Sequence, residues 1–301
     1  MISDNNPNKF LIKESITLNL STMSESSINL NGSYRSNVQY DLKNYLNFTD
    51  QDIKYVTLSI PYAIITNSNY IINEYNNKIV YTYAGATSTA YIPEGNYNVT
   101  TFTTYIQSFI FPTNYFTMTY STTTNKFTIT TTPTYQSLFP ASTWGFQNST
   151  CDYIFGFTGV FTTTGNTLTM PRSMNFLPVP RFLIHCNIID SGINFTTNST
   201  VAYTDILCSI PNVAKLNSQI VYEDASTEFY VKNYENLTNL RITITDDWGS
   251  LINFNGLSSY MVLRFNVYKY IKEKPDTFRN IIEKNSTQKY INNNDIIFDN
   301  T

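Results

Sequence analysis

The amino-acid sequence predicts an all-β protein, a β-sandwich or closed barrel with one or two short helices and extended terminal arms. Three observations predict it. Apolar residues recur at every second position in at least eight separate segments, the period of strands with one buried face. Pro, Gly and Asn punctuate those segments as turn formers. Tyr (24) and Phe (20) favour strands, whereas the usual helix formers do not dominate. Many short, turn-separated strands in 301 residues fit a sandwich or closed barrel folded as one unit.

The elements follow in chain order. Residues 1–46 are polar and rich in Ser and Asn, with one alternation at Ile16, Leu18 and Leu20. They read as an N-terminal arm, partly strand. The core domain is expected over 47–271. Val56, Leu58, Ile60 and Tyr62 alternate with Thr57 and Ser59, and Ile79, Tyr81 and Tyr83 repeat the pattern. Phe116, Met118 and Tyr120, a turn at Thr122–Asn125, then Phe127 and Ile129 predict a hairpin with one buried face. Further strands are expected at Phe182–Ile188, Ile206–Ile210, Leu240–Ile244 and Met261–Val267. One segment breaks the period of two. Phe102, Tyr105, Ile106, Phe109 and Ile110 follow helical spacing, and Pro112 stops the run. Ser149–Phe155, ended by Gly156, could add a second short helix. Residues 272–301 become charged and Asn-rich and read as a C-terminal tail.

Composition excludes several classes. Charged residues are only 14% of the chain and the net charge is −3. No Lys/Arg cluster interleaves with aromatics, so specific nucleic-acid binding is not expected. A low-charge surface is easily desolvated against other subunits. A compositional bias toward Asn, Ile, Tyr, Phe and Lys from an A/T-rich genome explains it equally well. No apolar run approaches the length of a membrane span, and Met1–Lys13 lacks a signal-peptide apolar region. Three cysteines, Cys151, Cys186 and Cys208, fit a reducing compartment better than a disulfide framework, so synthesis in a cytoplasm is expected. The Asn-x-Ser/Thr sequons, such as Asn198 and Asn285, read as chance in so Asn- and Thr-rich a chain.

Chemistry-bearing patterns are few. The one histidine, His185, alternates with Cys186 and so faces the opposite side of its strand; a structural or interface role outweighs a catalytic one. The cysteines lack metal-ligand spacing, and Cys186 and Cys208 sit in apolar alternation as small core residues. Asp246 and Asp247 could bind a cation or act as an acid/base pair, but Asp-Asp-Trp-Gly is also an ordinary turn, the favoured reading. Ile92–Tyr97 carries a single Gly and reads as a turn into the helix, not a phosphate loop. No catalytic, cofactor-binding or metal residues are assigned, no cofactor is expected, and an enzyme is not expected.

The order of these segments resembles a known family. It runs Leu58-Ser59-Ile60-Pro61, then Ile71–Lys78, then Ile92-Pro93-Glu94-Gly95-Asn96-Tyr97 before the helix. Far downstream come Ile242–Gly249, Ile252-Asn253-Phe254-Asn255-Gly256 and Met261–Val267. Together they resemble the penton (minor capsid) proteins of virophages and Polinton-like viruses across Ile53–Tyr270. The resemblance implies a virion protein, a single jelly roll forming homo-pentamers at icosahedral five-fold vertices beside a double-jelly-roll major capsid protein. It implies no catalytic residues. A second reading is a carbohydrate- or receptor-binding β-sandwich of a viral surface protein, with Trp144 and Trp248 as first candidates. A third, enzymatic reading is a glycosidase built on carboxylates such as Asp246.

Overall fold

The computed structural model describes residues 9–23, 27–43, 45–110, 114–190, 194–195, 202–203, 205–224, 226–272 and 296–297. The sequons at Asn198 and Asn285 and most of the tail 272–301 lie outside them. The protein is all-β, a sandwich with few helices. Its chain divides into two compact units, one from 1–68 with 180–301, the other from 69–179. The division falls inside 47–271, the stretch expected to form one core. Alternation reports buried faces but does not say which core they enter.

In the first unit we label eight strands: β1 Lys9–Ser21, β2 Asn37–Asp41, β3 Ile53–Thr66, β4 Arg181–Cys186, β5 Ile206–Pro211, β6 Gln219–Glu223, β7 Asn239–Thr245 and β8 Tyr260–Lys272. One sheet runs β6-β3-β8-β1, with Ile296–Ile297 beside β1 and Phe229–Tyr230 beside β3, and the other β5-β4-β7-β2, with Ser27–Asn29 beside β2; every neighbour is antiparallel. Two of these strands, β1 and β2, come from the stretch expected to be an arm. Ile16, Leu18 and Leu20 lie opposite Phe265, Leu263 and Met261 of β8, so the alternation read as arm is one row of a sheet. Leu20 of β1 and Val38 and Tyr40 of β2 are buried, and Ile16 and Leu18 are partly buried.

Strand β3 shows how a Pro survives in a central strand. Between the pairs Val262–Tyr62 and Arg264–Ser59, β8 advances two residues while β3 advances three. The extra residue is a β-bulge, and Pro61, which has no N–H for the ladder, lies within it. The bulge also shifts the buried phase. Val56, Leu58 and Ile60 point into the core before it, and Ala63 and Ile65 after it. Tyr62, expected on the Val56–Ile60 face, is therefore only partly buried. The end of β3 is held by polar bonds: Asn67 Nδ2 donates to the carbonyls of Ala214 (2.9 Å) and Lys215 (3.2 Å), and Ser68 Oγ to Phe254 O (2.8 Å).

The second unit carries its own core. One sheet runs Phe161–Thr163, Trp144–Phe146, Lys78–Tyr83, Ala86–Tyr91, and another Thr167–Thr169, Lys126–Thr131, Phe116–Ser121. The last two strands are the expected hairpin, with Asn125 at φ +55° closing its turn. Phe102 sits among Phe155 (ring centroids 4.8 Å), Phe127 (5.9 Å) and Phe176 (5.0 Å). Phe102 belongs to helix α1, Val99–Tyr105, whose Thr-rich sequence is a weak helix former. A capping box starts it: Asn98 Oδ1 accepts from Thr101 N (2.9 Å), and Thr101 Oγ1 accepts from Asn98 N (3.0 Å).

The helical stripe is only half realised. After α1 the chain continues as a π-helix, Ile106–Ile110, whose wider turn breaks the i, i+3 spacing. Ile106 and Ile110 stay buried, whereas Phe109 is 73% exposed. The expected short helix is Asp152–Phe155, ended by Gly156 at φ +91°.

Backbones approach closely at Gly145 in Trp144–Phe146. It lies at φ +139°, and a Cβ there would fall on the Phe161 carbonyl and 2.8 Å from Thr162 Cα. Gly145→Ala is expected to destabilise the protein by about 2–4 kcal/mol in denaturant unfolding, combining backbone strain and overpacking. Gly95→Ala, whose Cβ would meet only the Tyr97 ring at 3.5 Å, should change stability by less than about 1 kcal/mol.

Candidate functional site

The acidic pair at the end of β7 is a turn. Asp246 Oδ1 accepts from the backbone N–H of Trp248 and of Ser250, both at 2.8 Å, and Gly249 N–H donates to Asp246 O at 3.2 Å. Gly249 supplies the left-handed residue at φ +82°. Burial pushes the Asp246 carboxyl up, the N–H bonds pull it down, and the neighbouring Asp247 charge adds to the rise. Asp247 turns to a different partner, accepting from Arg181 Nε on β4. Each carboxylate thus serves a separate structural bond, one shaping the turn and one tying it to the next strand.

His185 is 4% exposed. Its Nδ1 lies 2.9 Å from Asp205 Oδ1 and its Nε2 2.9 Å from Thr245 Oγ1. The Thr245 hydroxyl also donates to Asp246 O at 3.1 Å. The bond to His185 holds the Asp205 carboxyl below the usual range despite partial burial. The ring therefore joins β4, β7 and the residue before β5. Cys151, Cys186 and Cys208 are free and buried. Burial pushes all three thiols up, Cys186 to about 12, which suppresses the reactive thiolate. Among the described residues no group of three or more His, Cys, Asp or Glu is placed to hold a metal, and no helix is long and apolar enough to cross a membrane.

The two tryptophans part company. Trp144 is 1% exposed and its ring N–H donates to Gly165 O at 2.7 Å. It shares a cavity of about 220 Å³ with Tyr135, Gln136, Phe139 and Asn166 but has no open face on which a sugar could stack. Trp248 is 48% exposed on the acidic turn. In the second unit the exposed Phe109 stacks on the partly buried Tyr105 (4.9 Å), whose hydroxyl donates to the backbone carbonyl of the exposed Tyr91 (3.4 Å).

A polar network on the β1-β8-β3 sheet was not singled out from sequence. Glu228 Oε1 accepts from Lys13 Nζ on β1 at 2.9 Å, and Oε2 accepts from Thr57 on β3 and from Tyr268 on β8 (3.1 Å). Tyr55 stacks on Tyr268 at 4.4 Å and meets Tyr230 edge-on at 5.4 Å. Lys13 lies 215 positions from Glu228, and Thr57 lies 171, so no local pattern could reveal the network. Burial raises the Glu228 carboxyl, but the bonds from Thr57, Lys13 and Tyr268 outweigh it and leave a net lowering. One acid thereby fastens three strands.

No family model matches the chain, and no curated protein matches it. The structure is similar to the mavirus penton protein. The likeness to that crystal structure has a TM-score of 0.41 at 13% sequence identity, over 84% of this chain and 99% of the other.

A lowered folded-state value means that Glu228 stabilises the protein above pH 4.5, its ordinary value, and that this stabilisation is lost as pH falls through the folded value. Asp205 and Asp224 are also lowered and contribute in the same direction. Glu228→Gln is expected to lose about 1–2 kcal/mol at pH 7 and to flatten the loss of stability below pH 4.5, seen in urea midpoints across pH. An unchanged pH profile would show that the network contributes nothing.

Proposed function

We propose that this chain is a viral capsid protein of the penton type, five copies closing a ring at each five-fold vertex beside a larger major capsid protein. The observation that carries the reading is the strand order. Numbered along the chain, the eight labelled strands lie 6-3-8-1 and 5-4-7-2, an order that supports a jelly roll of two interlocked Greek keys. Capsid subunits use this fold widely, but fold alone does not fix function. The second support is where the family-like segments fall. Leu58–Pro61 is the bulged centre of β3, Ile92–Tyr97 leads into α1, Ile242–Gly249 is β7 with its turn, and Met261–Val267 is β8. Leu58–Pro61, Ile242–Thr245 and Met261–Val267 are thus strands of the sandwich, while Ile71–Asn77, Ile92–Tyr97 and Ile252–Gly256 form connections.

The assembly reading also suits the chemistry. A ring of five needs two different adhesive surfaces on each copy, because its interface is heterologous. Tyr-rich, low-charge surfaces provide apolar area with a hydroxyl handle at low entropic cost. The virion would be the place of action, and the described polar clusters are structural bonds.

Full-length protein is expected to form a species of five times 34.5 kDa by native mass spectrometry, alone or with its major capsid protein. A monomer at high concentration that also stays out of co-assembled particles would sink the proposal. Glycan binding abolished by Trp248→Ala would favour the sugar-binding reading instead.

A further inference from the structure

Strand β1 is bonded to β8 along all thirteen residues, with no shift of register. Its other edge meets, among the described residues, only Ile296–Ile297, opposite Ile12 and Leu11. From Lys13 to Ser21 that edge has no strand partner among the described residues. Sheet proteins guard such edges with Pro, charged side chains or bulges. Ser15–Ser21 has no Pro, no charge and no bulge against β8. The two charges just before it are engaged elsewhere, Lys13 with Glu228 and Glu14 with Lys269. The edge is an unguarded template for another strand.

The chain itself indicates what fits there. Its own Ile296–Ile297 pairs antiparallel with this edge. A return within one chain must pass only from Lys272, opposite Lys9, to Ile296, opposite Ile12, a span on the order of 15 Å. Residues 273–295 lie between those points, and 23 residues reach on the order of 75 Å when extended. The connector is several times longer than the return needs and long enough to reach an adjacent subunit.

We propose that the β1 edge is an assembly site, filled by the Ile296–Ile297 strand of a second copy of this chain. The inference deepens the capsid reading and rests on it for the presence of an adjacent copy. Donated strands would join subunits by main-chain hydrogen bonds, which need no charged side chains. Such a contact suits a chain with few of them.

Leu11→Cys and Ile297→Cys, placed on separate full-length chains and mixed under assembling conditions, test it. Directly opposed residues of antiparallel strands lie within disulfide range. The native thiols are buried and do not compete. The mixture is expected to give an interchain disulfide at least tenfold above either variant alone on non-reducing gels. A disulfide formed only in chains carrying both substitutions, or in no sample, would overturn the inference. Rings of five without interchain disulfide would remove strand donation and leave the pentamer reading intact. Interchain disulfide in a closed dimer would uphold donation and remove the pentamer.

Discussion

The sandwich depends on one strand, β8. It lies between β1 and β3, and at alternate positions buries Met261, Leu263, Phe265 and Val267. Its two neighbours come from the start of the described chain and from the segment before the insertion, so neither side can zip until distant parts of the chain have met. Loop-closure entropy must be overcome before these pairings reward it, which makes the topology intrinsically slow to fold. The two ladders are also unequal. Toward β1 the register is unbroken, whereas toward β3 it shifts twice. Of the two ladders of β8, only the one that also accommodates Pro61 is irregular.

This explains which parts of the fold were legible in sequence. Where strands pair locally, as in Phe116–Thr131, turn residues and alternation sufficed to place both strands and the turn between them. Ile16, Leu18 and Leu20 were recognised as a strand pattern, but nothing local reveals that their partner lies about 245 positions away. Tyr62 and Phe109 failed for a different reason. Each follows a backbone defect, a bulge and a π-turn, that shifts the phase of an otherwise regular pattern, and no side-chain periodicity reports a phase shift. Asp246 and Gly249 were readable as a turn because their bonds are local. Glu228 was not, because its partners come from three separate strands.

Scarcity of charge shapes how the polar groups are used. The charged groups described above act mainly as fasteners within the sandwich: Glu228 across β1, β3 and β8, Asp247 on Arg181, Asp205 on His185. Neutral groups do similar work, as Asn67 and Ser68 do at the end of β3. Ionic groups held inside such bonds add little to the long-range field of the surface. The outward character is left to Thr, Asn and Tyr, which desolvate at lower cost than charges.

The insertion between β3 and β4 follows the same economy of constraint. A structureless connection of 69–179 would carry a closure cost, although one that grows only slowly with length. These residues instead bury their own aromatic cluster around Phe102, Phe127 and Phe155, so their order does not have to be supplied by the sandwich. The sandwich needs only that the chain leave β3 correctly, which the bonds of Asn67 and Ser68 ensure. The exposed Tyr91 and Phe109 lie outside that buried cluster and belong to the insert's own surface.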